Sequence, residues 1–106
     1  MNPLGRLPYR RIRVRGPSMA PTLKDGDVVL ARNHRTPRTG DVVVVTWVTR
    51  PGQLSIKRVA GQNGAGWHVE GDNPHASTDS RELGPARVHG VVVARLWPQP
   101  RLLSSR

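Results

Sequence analysis

This sequence predicts an all-β domain, a compact mixed-strand β fold with little helix. Three observations lead there. Short runs rich in valine and other β-branched residues recur along the chain, bounded by Gly, Pro or Asp. Eleven Gly and ten Pro among 106 residues leave little room for helix. No apolar run approaches the ~20 residues that span a bilayer, and the longest, residues 42–48, is strand-sized.

Taken in order, residues 1–11 carry Pro, Gly and Arg without a period and read as a basic, extended lead-in. Strands are expected over residues 12–15, 27–32, 41–49, 53–59, 67–70 and 88–96. Helical turns fit only around residues 21–23 and 82–83. The tetrapeptide Gly-Asp-Val-Val occurs twice, at residues 26–29 and 40–43. Each copy reads as a turn releasing a strand, with Gly at positive φ and Asp bonding local backbone. Residues 98–106, rich in Pro, Ser and Arg, read as a tail, which leaves one domain over residues 12–97.

Composition narrows the chemistry. The absence of Cys excludes disulfides, thiolate zinc sites and a cysteine nucleophile together. The net charge of +10, carried by 15 Arg and only 2 Lys, attracts polyanions. A basic nucleic-acid-binding β domain is therefore one alternative, although Trp47, Trp67 and Trp97 are dispersed and form no evident stacking platform. The basic N-terminus lacks the apolar stretch of a signal peptide. The expected location is cytoplasmic, with peripheral contact to an anionic membrane allowed and no transmembrane segment.

The stretch Gly16-Pro17-Ser18-Met19-Ala20-Pro21-Thr22-Leu23 presents a serine between two prolines, on a backbone that cannot continue as regular helix or strand. Met19 and Leu23 look like apolar anchors for a held loop that displays a hydroxyl, as a nucleophile requires. Such a serine needs a base. The four histidines (His34, His68, His75, His89) lie in polar, turn-like contexts and read as surface residues. Lys24 sits in a polar turn, whereas Lys57 lies inside a strand among Leu54, Ile56 and Val59. Burial can lower a lysine from its ordinary value of about 10.4 until the neutral amine accepts a proton. The bland alternative for Lys57 is an edge-strand lysine that snorkels or blocks pairing. The third polar segment, residues 71–81, holds two acids, an amide, three hydroxyls and an arginine. It reads either as turn chemistry or as a supporting shell, with a hydroxyl orienting the amine and an Asp–Arg pair fixing the loop.

Together these segments resemble the type I signal peptidase family, the Ser/Lys serine proteases. Ser18-Met19-Ala20-Pro21-Thr22-Leu23 matches the nucleophile box and Gly40-Asp41-Val42-Val43 the next strand box. Ile56-Lys57-Arg58-Val59-x-Gly61 matches the lysine box. Gly71-Asp72-Asn73 through Ser77-x-Asp79-Ser80-Arg81 matches the last, with Gly84 after it. The resemblance covers about residues 14–97 with every box in family order.

It implies the signal-peptidase catalytic core, with Ser18 as nucleophile and Lys57 as general base. Ser77 would bond the lysine amine, and Asp79 would form a structural ion pair with Arg81 or Arg58. The Ser18 backbone N–H would hold the oxyanion, and Gly16, Met19 and Pro21 would belong to the oxyanion and substrate pocket. Some relatives carry a serine donor where this chain has Gly16. No cofactor or metal is implied, and the partner is a protein precursor with an N-terminal propeptide or signal peptide. Only residues 58–70 separate the lysine and Gly-Asp-Asn boxes, so the large β insertion of many members is missing. That minimal form, without a membrane anchor, is most similar to the proteases that mature nickel-type superoxide dismutase. Cleavage of secretory signal peptides at the membrane surface is the alternative within the family.

Overall fold

The computed structural model describes residues 8–103 except 77 and 79. Seven strands, β1 (Tyr9–Arg13), β2 (Val28–Asn33), β3 (Val42–Trp47), β4 (Arg50–Asn63), β5 (Gly66–Glu70), β6 (Arg87–Trp97) and β7 (Arg101–Leu102), are accompanied by one short helix, α1 (Ser80–Leu83). The sheet runs β1-β2-β6-β3-β4-β5, with β7 on β6, and every strand pairing is antiparallel. The all-β expectation holds.

The sheet wraps around β3. All six residues of β3 are buried, and because side chains alternate across a strand they feed two different cores. Val42 and Val44 join Met19, Leu23, Val29, Ile56 and Val92 in one cluster. Val43, Val45 and Trp47 join Val59, Val69, Ala86 and Val91 in the other. A strand wetted on one face would alternate apolar with polar residues. The run Val42-Val43-Val44-Val45 does not alternate because both of its faces are covered.

Both Gly-Asp-Val-Val copies form the same turn. Gly26 and Gly40 have φ of 91° and 94°, a region open to glycine at little cost. In each, the aspartate Oδ2 accepts the N–H three residues earlier, Lys24 N to Asp27 at 3.0 Å and Arg38 N to Asp41 at 2.8 Å. Each Val-Val then opens a strand, β2 or β3.

The sheet reaches beyond the expected 12–97 at both ends. β1 begins at Tyr9, inside the segment read as lead-in, because its order comes from pairing with β2 from Tyr9↔Arg32 to Arg13↔Val28. At the other end β7 pairs with β6, and Leu103 packs on the first core. β4 is also longer than expected, since its first half pairs with β3 and its second half with β5.

Three segments distant in sequence meet at Asp72. Arg58 on β4 donates Nε to Asp72 Oδ1 at 2.9 Å and Nη2 to Oδ2 at 2.8 Å. Thr22, in the turn after Ser18, donates its hydroxyl to Oδ2 at 2.6 Å, and Arg58 Nη1 donates to the Gly40 carbonyl at 2.7 Å. The Arg58 and Asp72 side chains are only 13% and 7% exposed, so neither charge is fully solvated without the other. Asp72→Ala is expected to destabilise the protein by about 3–5 kcal/mol, the cost of stranding a buried partner charge. The paired change Arg58→Met with Asp72→Leu should lose less. Urea unfolding of both variants checks this, and a single variant with wild-type stability would show that the cluster contributes little.

Candidate active site

The loop bearing Ser18 is held from several sides. Gly16 donates its N–H to Asp25 Oδ1 at 2.8 Å, and Leu23 N donates to Met19 O at 2.9 Å, closing one helix-like turn. Met19 and Leu23 are 1% and 0% exposed and anchor that turn in the first core. Asn73 grips the loop from the other side. Its N–H donates to the Ser18 carbonyl at 2.9 Å and its Nδ2 to the Pro17 carbonyl at 3.1 Å. Ser18 itself is half-buried.

Lys57 stands opposite Val43 in the β3–β4 ladder and is 4% exposed. Its strand neighbours both lie on the other face, where Ile56 enters the first core and Arg58 forms the Asp72 cluster. No buried side-chain nitrogen or oxygen among the described residues lacks a hydrogen-bond partner. Ser18 and Lys57 both line one cleft of about 850 Å³, walled by β1, the Ser18 loop, the first half of β4 and residues near α1. No histidine and no carboxylate is among the described residues that line it.

Gly16 and Met19 also border this cleft. A Cβ at Gly16 would meet nothing within 4 Å, but the residue has φ of 81°. A serine donor there would need a left-handed backbone, which costs roughly 1–2 kcal/mol for a residue with a side chain. The backbone, not lack of room, disfavours one. Pro21 does not border the cleft; it lines a second depression with Thr22, Arg58 and Arg101. Ser77 and Asp79 lie outside the described residues. Arg81 is exposed on α1, and the carboxylate found on Arg58 is Asp72. Ser80 next door is buried and accepts the Val69 N–H at 2.9 Å, fastening α1 to β5.

The histidines are elsewhere. His34 and His75 are exposed, and His68 pairs with Glu70 on β5 at 2.7 Å. His89 shares a 2.8 Å hydrogen bond with Thr46. Burial first, then the cations Arg87 and Arg10 and the ring of His34, hold its imidazole below the ordinary histidine range. The sequence offered no sign of three features: Thr22 on Asp72, Asn73 on the Ser18 carbonyl, and the arginines of β1 along the cleft. The first two join residues 50 and 55 positions apart, which only the folded loops bring together.

Known proteins give the family. Residues 8–93 match the family described as Peptidase S24-like. The mitochondrial ATP-independent inner membrane protease subunit 1a of Arabidopsis thaliana is 35% identical over 80% of this chain and 68% of its own length. The mitochondrial inner membrane protease subunit 1 of Schizosaccharomyces pombe is 33% identical over 85% and 74%, and that of Homo sapiens 32% over 78% and 66%. No helix among the described residues is long and apolar enough to cross a membrane. With a serine loop, a buried strand lysine and a shared cleft, and with protease subunits as its relatives, this chain belongs to the Peptidase S24-like family.

Proposed function

We propose that this protein is a serine endopeptidase with a Ser18/Lys57 dyad that removes an N-terminal propeptide from a protein precursor. One observation carries the reading. Ser18 and Lys57 border the same cleft, and the other ionisable side chains described there are arginines, which do not act as bases in proteins.

The chemistry follows from burial. Removing Lys57 from water penalises the ammonium and favours the neutral amine. That amine takes the proton from Ser18 Oγ as the oxygen attacks the scissile carbonyl. The Ser18 N–H stabilises the oxyanion, the new ammonium returns its proton to the leaving amine, and a water deprotonated by Lys57 then hydrolyses the acyl-enzyme. Ser77 orients the amine in this scheme, and Asp79 with Arg81 steadies the loop beyond Asp72. The lack of a serine at residue 16 removes one donor, which typically costs about 10²-fold or more in rate. The resemblance makes the precursor of a nickel-type superoxide dismutase the first substrate to try.

Incubating that precursor with wild type and variants, read by intact mass, tests the reading. Ser18→Ala should slow cleavage by on the order of 10⁴-fold with the fold intact, and Lys57→Arg should slow it as much at some cost in stability, because the guanidinium stays charged in a buried position. Near-wild-type turnover of either would sink the dyad. The rate should climb with pH as the Lys57 ammonium gives up its proton, reaching a plateau below the ordinary lysine value of about 10.4. A flat profile from acid to alkaline pH would contradict a lysine base.

The protease relatives named for an inner membrane support a second reading, signal-peptide cleavage at a membrane surface. Co-sedimentation with phosphatidylserine vesicles at physiological salt would favour it, and absence of binding there would count against it.

A further inference from the structure

The cleft that holds Ser18 and Lys57 is cationic along its length. Arg10, Arg11, Arg13, Arg15 and Arg50 all border it, and no Asp or Glu does among the described residues. All five arginines are exposed, and none has an ion pair among the described residues.

The chain has only seven acids, and most are committed elsewhere. Asp25 caps Gly16, Asp27 and Asp41 close the two Gly-Asp turns, Asp72 holds Arg58, and Glu70 pairs with His68. Glu82 is exposed on α1, away from the cleft lining, and Asp79 lies outside the described residues. None of the described carboxylates therefore lines the cleft, and an anionic occupant would meet no competing acid there.

From this we infer that the cleft selects an acidic peptide: a precursor whose segment flanking the cleaved bond carries several Asp or Glu residues. The inference rests on the endopeptidase reading and adds the substrate's chemical class. Arg11 and Arg13 lie two residues apart on β1, so they project from one face about 7 Å apart. An extended peptide alongside has the same spacing between every second residue, so alternating carboxylates meet successive guanidiniums. Arg50 stands on the opposite wall, at the start of β4. A cleft lined by one sign of charge also concentrates its field, which speeds capture of an oppositely charged substrate and repels a basic one. A peptide is favoured over a nucleic acid or a lipid surface because these arginines border the cleft of the nucleophile rather than an open face.

The test uses the full chain as Ser18→Ala for binding and as wild type for cleavage. The probes are three peptides sharing one small-residue core, with flanks of Asp/Glu, Asn/Gln or Lys. Calorimetry at low salt should find the acidic peptide bound about tenfold or more tightly than the neutral one, each exposed pair adding up to about fivefold. The advantage should shrink as salt rises. Replacing Arg11, Arg13, Arg15 and Arg50 together by Gln should abolish it, while removing equal charge at Arg32, Arg35, Arg38 and Arg87 should preserve most of it. Equal binding of acidic and neutral peptides would overturn the inference, as would equal loss in both quadruple variants. Tighter binding of a single-stranded oligonucleotide or of phosphatidylserine vesicles through the same four arginines would overturn it too. The two proposals fail differently. Ser18-dependent cleavage of all three peptides at one rate would sink the acidic selection and leave the endopeptidase standing. Selective binding without any Ser18-dependent cleavage would do the reverse.

Discussion

The geometry of the site depends on one carboxylate. Asp72 accepts both arms of Arg58 and the hydroxyl of Thr22, so a single side chain joins the lysine strand, the serine loop and the Gly-Asp-Asn segment. Arg58 passes the connection on to Gly40, at the turn that opens β3. Lys57 is the covalent neighbour of Arg58, and Asn73, the neighbour of Asp72, holds the Ser18 carbonyl. The cluster thus lies one residue from Lys57 along β4 and reaches the Ser18 backbone through Asn73. A bidentate guanidinium–carboxylate pair fixes orientation as well as distance, which is what a serine and a lysine from separate segments require.

The proposed dyad and the structural ion pair use opposite treatments of charge. Arg58 and Asp72 are half-buried as a hydrogen-bonded ion pair, each offsetting the other's desolvation. Lys57 is buried within the sheet, and the proposed mechanism uses that burial to favour the neutral amine. The cleft arginines stay exposed and keep both charge and hydration. Adjacent positions, Lys57 and Arg58, therefore have contrasting electrostatic surroundings because a strand turns them to different faces.

Much of this was legible in the residues. Val-rich runs between Gly and Pro marked the central strands, and Ser18 and Lys57 stood out because each occupied an unusual context for its type. The Gly26 and Gly40 turns were readable because Gly and Asp act locally there. What could not be read depended on neighbours distant in sequence. β1 is mostly arginine and shows no apolar alternation; β2 supplies its order. The resemblance assigned the ion pair to Asp79, which lies outside the described residues, whereas the carboxylate on Arg58 is Asp72, brought there by the folded loop. Pro21, although three residues from Ser18, lines the second depression instead of the cleft.

The two-faced burial of β3 has a consequence for how the dyad is specified. A strand with one wet face resists slipping by a residue, because slippage would drive its apolar side into water. Val42-Val43-Val44-Val45 carries no such penalty: moved by one position, it would offer valine to each core as before. The hydrophobic pattern of β3 is therefore silent about its own alignment, and the ends must set it. Asp41 locks the turn before the strand through the Arg38 N–H, and Trp47 donates its indole N–H to the Gly84 carbonyl at the other end. A one-residue slip of β3 would set Val42 or Val44 across from Lys57 in place of Val43. The residue that faces the proposed base is thus decided by a turn aspartate and an indole outside the cleft chemistry, at the two tips of a strand that cannot count its own residues.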